Sequence, residues 1–307
     1  MTQGPPGVRV PTVVVGGYLG AGKTTLVNHL LRHAGGRRIA VLVNDFGDIA
    51  IDADLIEGAV GDVIALTGGC LCCSFGADLV GTLTQVLQRD PRPEQVLIEC
   101  SGVGLPAAVA RSARLAPDVD VEGVVVVVDS ETVHACASDT YVGDTVRQQL
   151  RDADLLVLNK ADLCTPEQRR ALHDWLAAAA PGTPWVEASQ AAVPPALVMG
   201  PRLAATRGER PWQPGPIAPA RAAAERFVNE RRVFEQPVDV PALVATLAAP
   251  GSGVLRAKGW ITGLDGRRCL LQIVGRRVAV EPLPPGAGPP GPDQLLIIGL
   301  AGVGGVD

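Results

Sequence analysis

Val13-Val14-Val15-Gly16-Gly17-Tyr18-Leu19-Gly20-Ala21-Gly22-Lys23-Thr24-Thr25 decides the fold. A β-branched run leads into G-x-x-x-x-G-K-[ST] over residues 17–24, and an apolar helical pattern, Lys23–His33, follows. Strand, glycine-rich loop and helix in this order make a phosphate cradle. The glycines let backbone N–H groups turn inward, and the helix N-terminus adds favourable potential for an anion. Gly17, Gly20, Ala21 and Gly22 would line the phosphates. Lys23 would reach the β- and γ-phosphates, Thr24 would ligate Mg²⁺, and Thr25 would touch the α-phosphate. The plainer alternative, a glycine-rich turn with a surface lysine, leaves the agreement of strand, loop and helix unexplained.

Working outward, Ile39–Val43, Val63–Leu66, Val96–Ile98, Val124–Val128 and Leu155–Leu158 are further apolar runs without alternation. Strands buried on both faces read this way, so the spacing predicts a mostly parallel sheet. Helical stretches lie between them, including Ala77–Leu87 and Pro166–Ala180 with Thr165 as N-cap. From Pro181 to Ala220 the chain is dense in proline and reads as a loop-rich linker. Beyond it, Phe227–Phe234, Val254–Ile261, Cys269–Val274, Arg277–Val280 and Leu295–Leu300 read as strands, with one helix from Asp239 to about Leu247. The expected fold is therefore α/β: a nucleotide domain over 1–190, a Pro-rich linker over 191–220, and a smaller α+β domain with a mainly antiparallel sheet over 221–307.

A second signal names the base. Leu155–Leu158 runs into Asn159-Lys160-Ala161-Asp162, an N-K-x-D segment at a strand end. A carboxylate at Asp162 can accept both guanine N–H donors. Asn159 can serve the O6/N7 edge or brace the loop, and the Lys160 stem can lie over the ring. N-K-x-D alone is a weak string; behind a phosphate loop it points to a P-loop GTPase binding GTP and GDP. Val96–Ile98 ends in Glu99, followed by Ser101-Gly102, where such proteins place the carboxylate that organises Mg²⁺ or the attacking water. Asp45 and Asp48 follow the second strand and suit the same work, with ordinary solvated loop acids as the alternative.

The cysteines carry a third signal. Cys70, Cys72 and Cys73 crowd into four residues just after a buried strand, a set suited to Zn²⁺, Co²⁺ or Cu⁺. Adjacent Cys72 and Cys73 close a tetrahedron poorly, leaving an open or borrowed fourth position that suits a metal to be released. A redox thiol pair or simple packing is the rival reading. Cys100, Cys136, Cys164 and Cys269 are scattered and read as small packing residues. His29 and His33 stand four apart, yet no Glu follows His29 and the helix is mainly apolar, so capping or surface roles are expected. His134 and His173 carry no signal.

Bulk properties narrow the field. With 307 residues, 47% hydrophobic and 19% charged, the chain has material for two packed domains. A formal charge of −5 and only 3% aromatic residues disfavour nucleic-acid binding. No secretory signal or membrane-length apolar run is visible, which leads to a cytoplasmic expectation.

With these motifs in this order, the chain resembles the CobW-like family of P-loop GTPases over almost its whole length. Gly17–Leu26 looks like the family's G-F-L-G-A-G-K-T-T-L, with Tyr18 for the usual Phe. Asn44–Asp48 resembles N-E-F-G-E with both acids shortened, and Gly69–Cys73 resembles N-G-C-x-C-C with Gly69 for Asn. Glu99–Gly102 is similar to its E-C-S-G turn, and Leu255–Trp260 and Leu296–Gly299 to signatures of its C-terminal domain. The resemblance implies a GTP-dependent metallochaperone that holds Zn²⁺ or Co²⁺ on Cys70, Cys72 and Cys73 and delivers it to a metalloprotein client. In the family, GTP·Mg²⁺ binding completes the thiolate site and hydrolysis releases the ion, so Lys23, Asp45, Asp48 and Glu99 are the expected catalytic set, with Thr24 and Glu99 on Mg²⁺. Many relatives carry a His-rich tract, but here no histidine follows His173. Two other functions compete: a regulatory GTP switch with redox-sensing cysteines, and a zinc-binding scaffold that GTP merely sets in shape. The oligomeric state is open.

Overall fold

The computed structural model describes residues 9–44, 61–66, 75–200, 227–249, 251–284 and 292–300. Asp45, Asp48, Cys70, Cys72 and Cys73 lie outside them, as does most of the expected linker. The chain divides into two compact units, Met1–Ala192 and Val193–Asp307.

The first unit follows the apolar runs. β1 (Val10–Gly16), α1 (Lys23–Arg32), β2 (Ile39–Asn44), β3 (Gly61–Leu66), α2 (Phe75–Leu87) and β4 (Gln95–Glu99) form its first half. α3 (Pro106–Ala113), β5 (Val119–Asp129), α4 (Val133–Ser138), α5 (Gly143–Asp152), β6 (Leu155–Asn159), α6 (Pro166–Ala179) and β7 (Trp185–Glu187) complete it. The strands lie in the order β3-β2-β4-β1-β5-β6-β7, and every pair is parallel. Val13, Val14 and Val15 are all fully buried, because helices cover both faces of a parallel sheet. Removing each such valine from water contributes roughly 1.5 kcal/mol. That is why period-2 alternation is missing from the sequence.

Connectivity places the site. β1 sits between β4 and β5, so the chain leaves β1 to one side first and crosses to the other later. Ligands of open α/β sheets bind at such a switch point, beyond the carboxyl ends of the strands. Registers align those ends: Val15 with Glu99, Val43 with Glu99, and Asp129 with Asn159. α6 starts as its sequence dictates. Thr165 Oγ1 accepts from Gln168 N–H (3.3 Å), Gln168 Oε1 accepts from Thr165 N–H (2.8 Å), and Pro166 occupies the first turn. A reciprocal cap of this kind is worth about 1 kcal/mol.

The second unit opens with α7 (Pro195–Met199). β8 (Phe227–Phe234), α8 (Val240–Leu247), β9 (Val254–Thr262), β10 (Arg268–Val274), β11 (Arg277–Pro282) and β12 (Asp293–Leu300) follow. The sheet order is β11-β10-β9-β12-β8, antiparallel throughout. Alternate residues Ala257, Ile261, Cys269, Leu271, Ile273, Leu295 and Ile297 form one apolar core with Leu243, Val244 and Leu247 of α8. The expected α+β texture is what the chain adopts.

Several elements differ from the sequence reading. The stretch from Pro181, read as loop, contains β7 and α7. β7 has only three residues and α7 only five, too short for a periodic signal. α5 was not anticipated either, because GDTVRQQLRD offers few apolar positions.

Candidate nucleotide site

The loop after β1 takes a shape that glycine makes possible. Gly17 has φ 137°, and a Cβ there would lie 2.3 Å from Val127 O. Gly22 has φ 102°, and a Cβ would lie 2.4 Å from Asn159 Nδ2. Side chains are excluded at both on two counts, backbone strain and space. Ala21 N–H donates to Tyr18 O at 3.2 Å, which tightens the loop before α1 begins at Lys23.

Three polar side chains meet over this loop. Lys23 is buried, and its Nζ donates to Tyr18 O at 3.3 Å, holding the ammonium over the loop. Thr24 Oγ1 donates to Glu99 Oε1 at 2.8 Å, joining the first turn of α1 to the end of β4. Glu99 is only 1% exposed. Burying carboxylate and ammonium at one sheet edge costs several kcal/mol unless charge partners satisfy them. A hydroxyl and a carboxylate in contact are hard oxygen donors that fit Mg²⁺. Thr25, the other predicted contact, is exposed on the same turn.

Next to Glu99, burial pushes the Cys100 thiol up to about 12; Lys23 opposes that rise and Glu99 adds to it. At neutral pH this thiol is protonated and inert. Cys164 and Cys269 are also buried with thiols raised mainly by burial, and Cys136 is half-buried, in keeping with packing roles. Among the described residues no group of three His, Cys, Asp or Glu could hold a metal ion. The His29 and His33 rings lie tilted with centroids 4.4 Å apart, and His33 Nδ1 lies 2.8 Å from His29 O, a helix-end contact.

The base segment stands on the other flank. Both ends of the Asn159 amide are engaged: Nδ2 donates to Ala21 O (2.9 Å) and Oδ1 accepts from Ala191 N–H (2.7 Å). Of the two roles open for Asn159, bracing is the one its geometry adopts, tying the phosphate loop to the base loop. Lys160 is left-handed (φ 60°), and its Nζ meets Asp129 Oδ2 at 2.6 Å. Asp162 lies exposed in the short 3-10 turn Ala161–Leu163.

Sequence reasoning missed two contributors. Asp129, at the end of β5, anchors Lys160; its signal was an acid closing the Val124–Val128 run. The segment after β7 was the other. Ala161 N–H donates to Ala188 O (3.1 Å), Ala188 N–H donates to Leu158 O (2.8 Å), and Gln190 and Ala191 are left-handed. Its signal, a few small residues after a three-residue strand, is too short to read.

The family model described as CobW/HypB/UreG, nucleotide-binding domain, matches residues 11–187, well over half of the chain. The chain belongs to the CobW/HypB/UreG family. A second model, the cobalamin synthesis protein cobW C-terminal domain, matches residues 231–302. Curated relatives of this CobW-type chain include the zinc chaperone CobW of Sinorhizobium sp, 35% identical over 221 residues that cover 62% of either chain. The zinc chaperone YeiR of Escherichia coli (strain K12) is 34% identical over 168 residues, covering 53% of this chain and 50% of YeiR. The match thus spans between half and two thirds of those relatives' own length. Among solved structures, the Zn(II)-bound YjiA GTPase from E. coli aligns over 95% of both chains with 20% identity and a TM-score of 0.46.

Proposed function

We propose that this protein is a GTP-hydrolysing metallochaperone that carries zinc to a metalloprotein client in the cytoplasm. The observation that carries the reading is the Thr24–Glu99 contact at 2.8 Å, beside a buried Lys23, in a CobW-family chain. Zinc is proposed over cobalt because the curated relatives CobW and YeiR are named zinc chaperones. Cys70, Cys72 and Cys73 are the proposed zinc ligands, on the donor chemistry of three thiolates.

In this reading the loop N–H groups and Lys23 hold the phosphates, and burial of Lys23 strengthens its hold by excluding water. Thr24 and Glu99 would hold Mg²⁺, whose charge would be supplied beside the phosphates. Glu99, with Asp45 and Asp48, orients the attacking water. Asp162 reads the guanine N–H donors, Lys160 covers the ring from its Asp129 anchor, and Asn159 keeps phosphate and base loops in register.

Turnover of GTP and ATP with Mg²⁺, for wild type and Glu99→Gln, tests the enzymatic half. GTP should be hydrolysed slowly, on the order of 10⁻⁴–10⁻² s⁻¹ without a client, and ATP far less. Glu99→Gln should lower the GTP rate while leaving GDP binding nearly intact. Equal rates on ATP and GTP would refute the guanine assignment.

A further inference from the structure

Helix α5 carries an anomaly inside its buried stripe. Val146 and Leu150 face the core, yet Gln149 beside them is equally buried, at 1% exposure. An amide in that position costs about 1–3 kcal/mol unless its polar atoms are paired. Gln149 Nε2 donates twice, to Gly102 O at 3.0 Å and to Gly104 O at 2.8 Å, which uses both amide protons. Those carbonyls belong to the 101–104 turn directly after Glu99, closed by Gly104 N–H to Ser101 O at 2.9 Å.

The other side of the turn meets the phosphate loop. A Cβ on Gly102 would lie 2.4 Å from Leu19 Cδ2 and 2.9 Å from the Leu19 backbone N, so the two backbones approach as closely as glycine allows. Gln149, Tyr18 and Leu19 also line one pocket beside the loop. The turn is therefore clamped between Leu19 and Gln149. The same helix leads into β6, which ends at Asn159. One helix thus holds the turn beside Glu99 and feeds the strand that presents the base segment.

We propose that Gln149 is a positioning residue for GTP hydrolysis: it pins the 101–104 turn against the phosphate loop and so keeps Glu99 on Thr24. The role rests on the GTPase reading given above. It needs a side chain with two donors at this length. Leucine matches the volume but has no donor, asparagine is one methylene short, and an ionised glutamate sets oxygen against both carbonyls.

Steady-state GTP hydrolysis, GDP affinity and hydrogen exchange of the 99–106 segment should be compared for wild type, Gln149→Leu and Gln149→Glu. Gln149→Leu should lower kcat about tenfold to a hundredfold, the scale of a misplaced catalytic group, with GDP affinity within about threefold. Exchange of the turn should quicken without nucleotide. Gln149→Glu should be impaired at about pH 8 and recover relative to wild type towards about pH 6, because the protonated acid regains one donor. That recovery separates positioning from mere loss of packing. Wild-type kcat in Gln149→Leu, or a Gln149→Glu defect that ignores pH, would overturn the proposal. A wild-type protein inert towards GTP would instead overturn the GTPase reading and this role with it.

Discussion

The two units differ in how they group buried polar side chains. In the first, Lys23, Glu99, Ser101, Gln149 and Asn159 are buried together at the carboxyl edge of the parallel sheet. Their partners belong to other elements: Thr24 for Glu99, Ala21 and Ala191 for Asn159, the 101–104 turn for Gln149. In the second, Arg256 is 1% exposed and donates to Leu197 O at 3.1 Å and to Val198 O, backbone carbonyls in α7. A cation at a helix C-terminus is a stabilising cap. The difference teaches where function lies. The polar groups of the first unit gather at the proposed ligand edge despite their desolvation cost, whereas Arg256 ties one strand to the end of a short helix.

The largest effect that would sharpen this contrast is at Lys23. Lys23→Ala should cut GTP turnover about a thousandfold, the upper range for removing one electrostatic stabiliser, with little change in thermal midpoint. Turnover assays beside calorimetry check both halves. A variant that keeps its turnover breaks the contrast at once.

Arg256→Met should do the reverse. It removes the donors from two α7 carbonyls in a dry setting, so it should destabilise the second unit by about 3 kcal/mol and leave GDP affinity unchanged. Denaturant unfolding with GDP titration decides this. A large loss of nucleotide binding at unchanged stability would mean that Arg256 serves the site rather than the fold.

An effect confined to alkaline pH is a stability slope at Cys100. Its thiol ionises near 9.0 when unfolded and near 12 when folded. The unfolded chain therefore binds fewer protons between those values, so the stability this thiol contributes is whole below about pH 9 and is lost as pH rises towards 12. Cys100→Ala should flatten the alkaline fall in stability, measured as midpoint against pH. An unchanged slope would show that the thiol is not held in so dry a place.

How much of this was legible follows from the range of each signal. The positions of the phosphate-loop motif, Glu99 and the 159–162 segment at strand ends could be read because each is a short motif abutting a buried strand. The antiparallel sheet of the second unit was legible for the same reason, through runs such as Cys269–Val274. Gln149 and the loop after β7 could not be read, and the acid closing the Val124–Val128 run did not reveal what Asp129 anchors. Their meaning comes from partners far along the chain: Lys160 for Asp129, Gly102 and Gly104 for Gln149, Leu158 and Ala161 for Ala188. A glutamine within a polar helical decapeptide looks solvent-facing until the turn that it supports is placed beside it. The two roles of Asn159 were likewise inseparable before Ala21 and Ala191 were known to bracket its amide.

Nucleotide-dependent zinc handling is what a GTP-driven chaperone must show above all. Zinc affinity should be measured by chelator competition with a non-hydrolysable GTP analogue and again with GDP, both with Mg²⁺. Zinc should bind about 5-fold to 150-fold more tightly in the GTP state, with GTP tightened by zinc to the same degree. Identical zinc affinities in the two nucleotide states would contradict the chaperone reading.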